Sequence, residues 1–175
     1  MIGREVVAII RSAFPGIQIF FKMGNHEERW QSYLSNKAPE ILGVPEFEIE
    51  HIYHLGDLNM RMLDKRQHIK LGHLNVLHGH EFGRTIFSPV NASRGLFLRA
   101  KTSALIGHYH QTSEHIEKNM NDNIIACYST GCLCDLRPDY ARYNKWNHGL
   151  AIVEVGDEDS HFGVKNLKII GDQVF

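Results

Sequence analysis

Apolar residues near the start recur at Ile2, Val6, Ile9, Ile10 and Ala13, while Arg4, Glu5 and Arg11 fall mostly off that stripe. The spacing predicts an amphipathic helix over residues 2–14. Pro15-Gly16 ends it by removing a backbone donor and permitting a turn. Ile17–Lys22 is β-branched and aromatic and predicts a short strand, which runs directly into Met23-Gly24-Asn25-His26-Glu27, with a helix following over residues 28–34. A further helix is predicted over residues 45–55. Leu74–Leu77 predicts a compact strand leading into His78-Gly79-His80-Glu81-Phe82-Gly83. A helix over residues 91–100 precedes a strand over residues 104–106, which stops at Gly107-His108-Tyr109-His110. The remainder predicts strands over residues 124–128, 149–155 and 162–170, the last two joined by a turn-rich connection. Helices dominate the first half and strands the second. This rhythm of helix, strand, loop and helix is that of a layered α/β protein with mixed sheets. No repeat or Gly/Ser linker marks a boundary, so residues 1–175 are expected to form a single domain.

Composition narrows the classes. At 175 residues the chain is of one-domain length and can bury roughly 70% of its unfolded surface without disulfides. Nineteen basic and twenty acidic residues leave a net charge of -1, which argues against a polybasic nucleic-acid tail or membrane anchor. The odd count of three cysteines suits a reduced, cytoplasmic compartment. No apolar run approaches the roughly 18 residues of a membrane span. The unusual number is twelve histidines, the side chain most often found on metals.

Their placement is patterned. Three predicted strands stop at glycine-containing loops that present polar ligands, at Asn25-His26, His78-Gly79-His80 and His108-Tyr109-His110. Glycine there lets the chain turn sharply and lets an ion or phosphate approach. If the strands are parallel neighbours, the loops share one edge of a sheet. Imidazole nitrogens with an amide oxygen suit a first-row divalent ion such as Mn2+, Zn2+, Fe2+ or Ni2+. The two histidines of an extended His-x-His segment point to opposite sides, so they can serve two adjacent ions in a two-metal phosphoryl-transfer site.

In this order, Gly24-Asn25-His26-Glu27, His78-Gly79 and Gly107-His108-Tyr109-His110 resemble motifs three to five of the calcineurin-like metallophosphoesterases. Tyr128-Ser129-Thr130-Gly131 is similar to the small-residue turn that follows them. The resemblance covers most of the chain. It implies a metal-dependent phosphoesterase that hydrolyses a phosphomonoester or phosphodiester by a metal-activated water. It further implies that Asn25, His78 and His108 bind one ion and His110 the other. His26 would be the catalytic residue that contacts the phosphate. The family's Asp-x-His and Gly-Asp-x-x-Asp motifs are missing: the 23 residues before Gly24 contain neither aspartate nor histidine. The implied fold is therefore a metallophosphoesterase-like domain lacking its first βαβ portion, a fragment or half of a split enzyme. It would hold one ion or none where the complete family site holds two. Gly56-Asp57 lies downstream and has Met60 where the second motif requires aspartate.

The remaining residues divide as follows. His80 is a rival to His78, and Glu27 is expected to cap the helix that follows it. His51, His54, His68, His73, His115, His148 and His161 fit no ligand spacing. Cys127, Cys132 and Cys134 lack a paired Cys-x-x-Cys spacing and are expected to be small buried hydrophobes. Trp30, Tyr33 and Trp146 suit a core or half-buried surface better than a substrate mouth. Between Phe82 and Ser113 there is no acidic residue, whereas Arg84, Arg94, Arg99 and Lys101 fall there. A helix near the metal edge would let Arg94, Arg99 and Lys101 attract a phosphate-bearing substrate, nucleic acid included. The rival reading is a non-catalytic metal-binding or interaction module. Its exposed sheet edge would favour a complementing amino-terminal chain or a homo-oligomer.

Overall fold

The computed structural model describes residues 2–83, 90–157 and 161–175. The protein is mixed α/β with several sheets, and it divides into two compact units, Met1–Gln67 and His68–Phe175. The division follows the turn in which Asp64 Oδ1 accepts the backbone N–H groups of Arg66 and Gln67. No described helix is long and apolar enough to cross a membrane.

The first unit contains α1 (Ile2–Ala13), β1 (Ile19–Lys22), α2 (Asn25–Lys37), α3 (Ile49–Ile52) and β2 (Met60–Leu63). β1 and β2 pair in parallel, Ile19 opposite Met60 and Lys22 opposite Leu63. Val7, Leu55 and Met60 form the core, with Ile19, Phe21, Tyr53 and Met62 packed on it. The helix expected over residues 45–55 is much shorter. Pro45–Phe47 makes a single 3-10 turn, Glu48 is extended at ψ 140°, and only Ile49–Ile52 is α-helical. His54, at φ +53°, then turns the chain away. β2 was not anticipated, because Met-Arg-Met-Leu lacks the β-branched residues that mark a strand.

The second unit contains β3 (Ile69–Leu71), β4 (Leu74–Leu77), α4 (Ala92–Ala100), β5 (Ala104–Ile106), β6 (Ser113–Lys118), β7 (Ile124–Ser129), β8 (His148–Val155), β9 (Phe162–Ile170) and β10 (Gln173–Val174). Five strands form a mixed sheet in the order β3-β4-β5-β7-β6, with β4, β5 and β7 parallel. β8, β9 and β10 form an antiparallel sheet.

The period-two alternation of side chains divides the two faces of the mixed sheet. Leu74, Leu105, Ala126 and Tyr128 meet Ala151, Val153, Phe162 and Val164 of the antiparallel sheet. Ala104, Ile106 and Cys127 meet Leu96 and Phe97 of α4. The unit is thus layered helix, sheet, sheet. Asn91 caps α4, its Oδ1 accepting the N–H of Arg94 at 3.0 Å.

Leu96 is completely buried between α4 and the sheet, whereas Leu98 is 40% exposed. Leu96→Ala is expected to cost about 2–5 kcal/mol of unfolding free energy in chemical denaturation. Leu98→Ala should stay within about 0.5 kcal/mol.

Candidate metal centre

β4 and β5 lie side by side in parallel register, Leu77 opposite Ile106. One residue beyond, the His78 carbonyl accepts N–H groups from both Gly107, at 3.1 Å, and His108, at 2.9 Å. The parallel ladder therefore continues past the strands and fixes the two histidine loops against each other. The His78 and His108 ring centroids are 4.9 Å apart.

Gly79 makes this close approach feasible. Its φ is +115°, and a Cβ there would lie 3.0 Å from Ile106 Cβ and 3.1 Å from His108 Cβ. The reversal brings His80 back beside His78, Nδ1 to Nδ1 at 2.9 Å. Glu81 closes the group: Oε2 accepts the Gly79 N–H at 2.6 Å and lies 3.7 Å from His80 Nδ1. One donor atom each from His78, His80 and Glu81 falls within 4.8 Å of the others. His78 and His80 thus lie side by side. Glu81 is a carboxylate that the reading of the sequence overlooked, since a lone Glu after His-Gly-His carries no spacing signal.

The third loop behaves differently. His110 adopts φ +56° and donates its N–H to Gly107 O at 3.2 Å, making a tight turn. Its Nδ1 lies 3.6 Å from Cys134 Sγ, and its ring packs against Trp146 at 4.4 Å. Of the three thiols, only Cys127 is the buried hydrophobe expected from the sequence; burial pushes it up to about 11. Cys132 is half-buried and Cys134 exposed. The difference is structural, because Cys127 sits within β7 while the other two follow the Gly131 turn. Desolvation, together with the hydrogen bond and charge of Cys132, pushes the Cys134 thiol up to about 11.

Asn147 organises this corner and gave no signal in the sequence. Its N–H donates to His110 O and its carbonyl accepts from Cys132 N, both at 2.9 Å. Its side chain accepts from Thr112 N at 2.8 Å and donates to Thr112 Oγ1 at 2.7 Å.

Asn25 and His26 belong to the first unit, in the opening turn of α2 rather than in a loop before it. Gly24 is the N-cap, and Glu27 Oε2 accepts its N–H at 2.9 Å, the capping role anticipated for that carboxylate. His26 is exposed and Asn25 half-buried. Asp57 is engaged locally, accepting from His54 Nδ1 at 2.8 Å. Trp30 is half-buried and donates to Phe47 O.

Among the basic residues, Arg84 lies outside the described residues. Arg94 is exposed in the first turn of α4. Ser93 of that turn bonds Ser113, which pairs with Ser129 at the carboxyl end of β7. Arg99 acts electrostatically on Tyr109, lowering a phenol that burial otherwise raises. Lys101 follows α4 at φ +56° and precedes β5, at the amino ends of the strands. The expected grouping of all three at the metal edge does not extend to Lys101, because a crossover helix runs antiparallel to its strands.

Comparison with protein-family models, curated proteins and solved structures returned no significant match.

Gly79→Ala adds a contact with Ile106 and His108 to left-handed strain, whereas no described residue lies within 4 Å of a Cβ at Gly83, at φ +82°. Gly79→Ala is expected to cost about 1–3 kcal/mol in chemical denaturation. Gly83→Ala should cost about 1–3 kcal/mol from the backbone alone, since φ +82° with ψ 175° is essentially confined to glycine.

Proposed function

We propose that this chain is a metal-dependent phosphoesterase of the calcineurin-like kind, hydrolysing a phosphomonoester or phosphodiester. The observation that carries the reading is the meeting of His78 and His108 at the carboxyl ends of adjacent parallel strands, with His80 and Glu81 beside them. Sites of layered α/β proteins lie at that edge. The layered architecture of the second unit and the order of the histidine motifs support the same reading.

The donor set fits a first-row divalent ion: imidazole nitrogens from His78 and His80 and a carboxylate oxygen from Glu81, with the His108 ring beside His78. The 2.9 Å separation of His78 and His80 Nδ1 is close to the roughly 3 Å cis edge of an octahedral site with bonds of about 2.1 Å. A tetrahedral site with metal–nitrogen bonds of about 2.05 Å has an edge of about 3.3 Å. The bound ion would supply Lewis acidity at a phosphoryl oxygen and acidify a water molecule.

The protein's own contribution is to hold the imidazoles in place through the doubly accepting His78 carbonyl and the Gly79 reversal. The family reading also assigns His26 a phosphate contact, a role realised mostly in the transition state; His26 and Asn25 lie in the first unit. Arg94, exposed at the first turn of α4, would add positive charge for an anionic ester.

The test is turnover of p-nitrophenyl phosphate and its bis ester by the full chain with Mn2+, alongside calorimetric binding of the ion. Hydrolysis should require the metal and fall about 100-fold or more in His78→Ala and His108→Ala. His26→Gln should lose kcat by about 100-fold while retaining metal affinity. Mn2+ binding through His78 and His108 without turnover of either ester would favour the non-catalytic metal-binding reading. Absence of binding would remove the site assignment itself.

A further inference from the structure

Two loops of the second unit, after β5 and after β7, bring a second set of donors together. His110 Nδ1, Cys132 Sγ and Cys134 Sγ all lie within 4.8 Å of one another. We propose that these residues form a zinc site with two thiolate ligands and one imidazole, its fourth position open to solvent. The proposal uses donors other than His78, His80 and Glu81, and it gives His110 a partner set different from the second-ion role that the phosphoesterase resemblance implies.

Geometry carries it. With zinc–sulfur bonds of about 2.3 Å and zinc–nitrogen bonds of about 2.0–2.1 Å, the sulfur–nitrogen edge of a tetrahedral site is about 3.5–3.6 Å. Cys134 Sγ and His110 Nδ1 are 3.6 Å apart. The Cys-x-Cys segment follows Gly131, where a Cβ would fall 2.5 Å from Asn147 O and 2.6 Å from Gly149 N. Only glycine allows the chain to pass so close to the 147–149 segment and present both sulfurs to His110.

The backbone holds the three donors independently of any ion. Asn147 ties His110 to Cys132 through two 2.9 Å hydrogen bonds. Gly149 N donates to Cys132 O at 3.1 Å, and His148 Nε2 donates to Cys134 O at 2.8 Å. Trp146 stacks edge-on against the His110 ring and orients it. A preorganised trio of this kind binds with little ordering cost.

Donor chemistry selects the ion. Thiolates favour soft or borderline metals, and a two-cysteine, one-histidine set with an open position is a known zinc composition. Each thiol gives its proton to solvent on binding, leaving two thiolates to balance the dication. Cys134 is exposed, so an ion and a fourth ligand can reach the trio from solvent.

Cobalt(II) titration of the reduced full chain tests the assignment, because only thiolate ligation gives an intense near-ultraviolet charge-transfer band. The band should saturate at one equivalent and be displaced by zinc. It should weaken in Cys132→Ser and in Cys134→Ser, vanish in the double variant, and persist in His78→Ala and His108→Ala. Zinc should also protect Cys132 and Cys134 from alkylation in the native protein, a readout that needs no variant. Absence of the band, its persistence in the double variant, or undiminished alkylation with zinc would each overturn the proposal.

Discussion

The His78 carbonyl, shared between the N–H groups of Gly107 and His108, is the interaction on which the candidate chemistry depends. A parallel pair normally ends when one chain turns away. Here the hydrogen bonding continues one residue beyond Leu77 and Ile106, so the imidazoles on both loops start from a fixed separation. The arrangement requires Gly79, since any side chain would press on Ile106 and His108 from a left-handed backbone. It also requires the β4–β5 register, which the burial of Leu74, Leu105 and Ile106 holds in place. A slip of one residue would turn every side chain of β5 to the opposite face.

Two donor sets of different chemical character arise from adjoining segments. His78, His80 and Glu81, with the His108 ring beside them, offer nitrogen and oxygen donors. His110, Cys132 and Cys134 offer nitrogen and sulfur at a tetrahedral spacing. The left-handed turn at His110 separates their allegiance by directing Nδ1 toward the cysteines. A His-x-His segment can thus serve two sites because of a local backbone reversal, rather than through simple strand alternation.

The parts legible in the sequence were those governed by local pattern. α1, β4, β5, α4 and β9 lie close to where apolar spacing and glycine placed them, and Glu27 caps α2 as its position predicts. β6 was missed because Ser-Glu-His-Ile-Glu-Lys carries too little apolar alternation, and its place comes from pairing with β7. The thiol cluster was equally hidden, because Cys132 and Cys134 meet His110 through the backbone bonds of Asn147, a residue whose role has no sequence signature. Lys101 departs from its expected place for a topological reason: the crossover helix runs antiparallel to its strands, so the residue that follows it lies before β5, at the strands' amino ends.

The central claim is that His78, His80 and His108 act together as the donors of one divalent ion. Its most direct test is the set of imidazole nitrogen signals of the full, 15N-labelled chain during substoichiometric addition of Mn2+. Paramagnetic broadening should appear first, and together, at His78, His80 and His108, with His51, His68 and His73 affected only at higher manganese. Equal broadening across the twelve histidines, or broadening that begins elsewhere, would contradict the account.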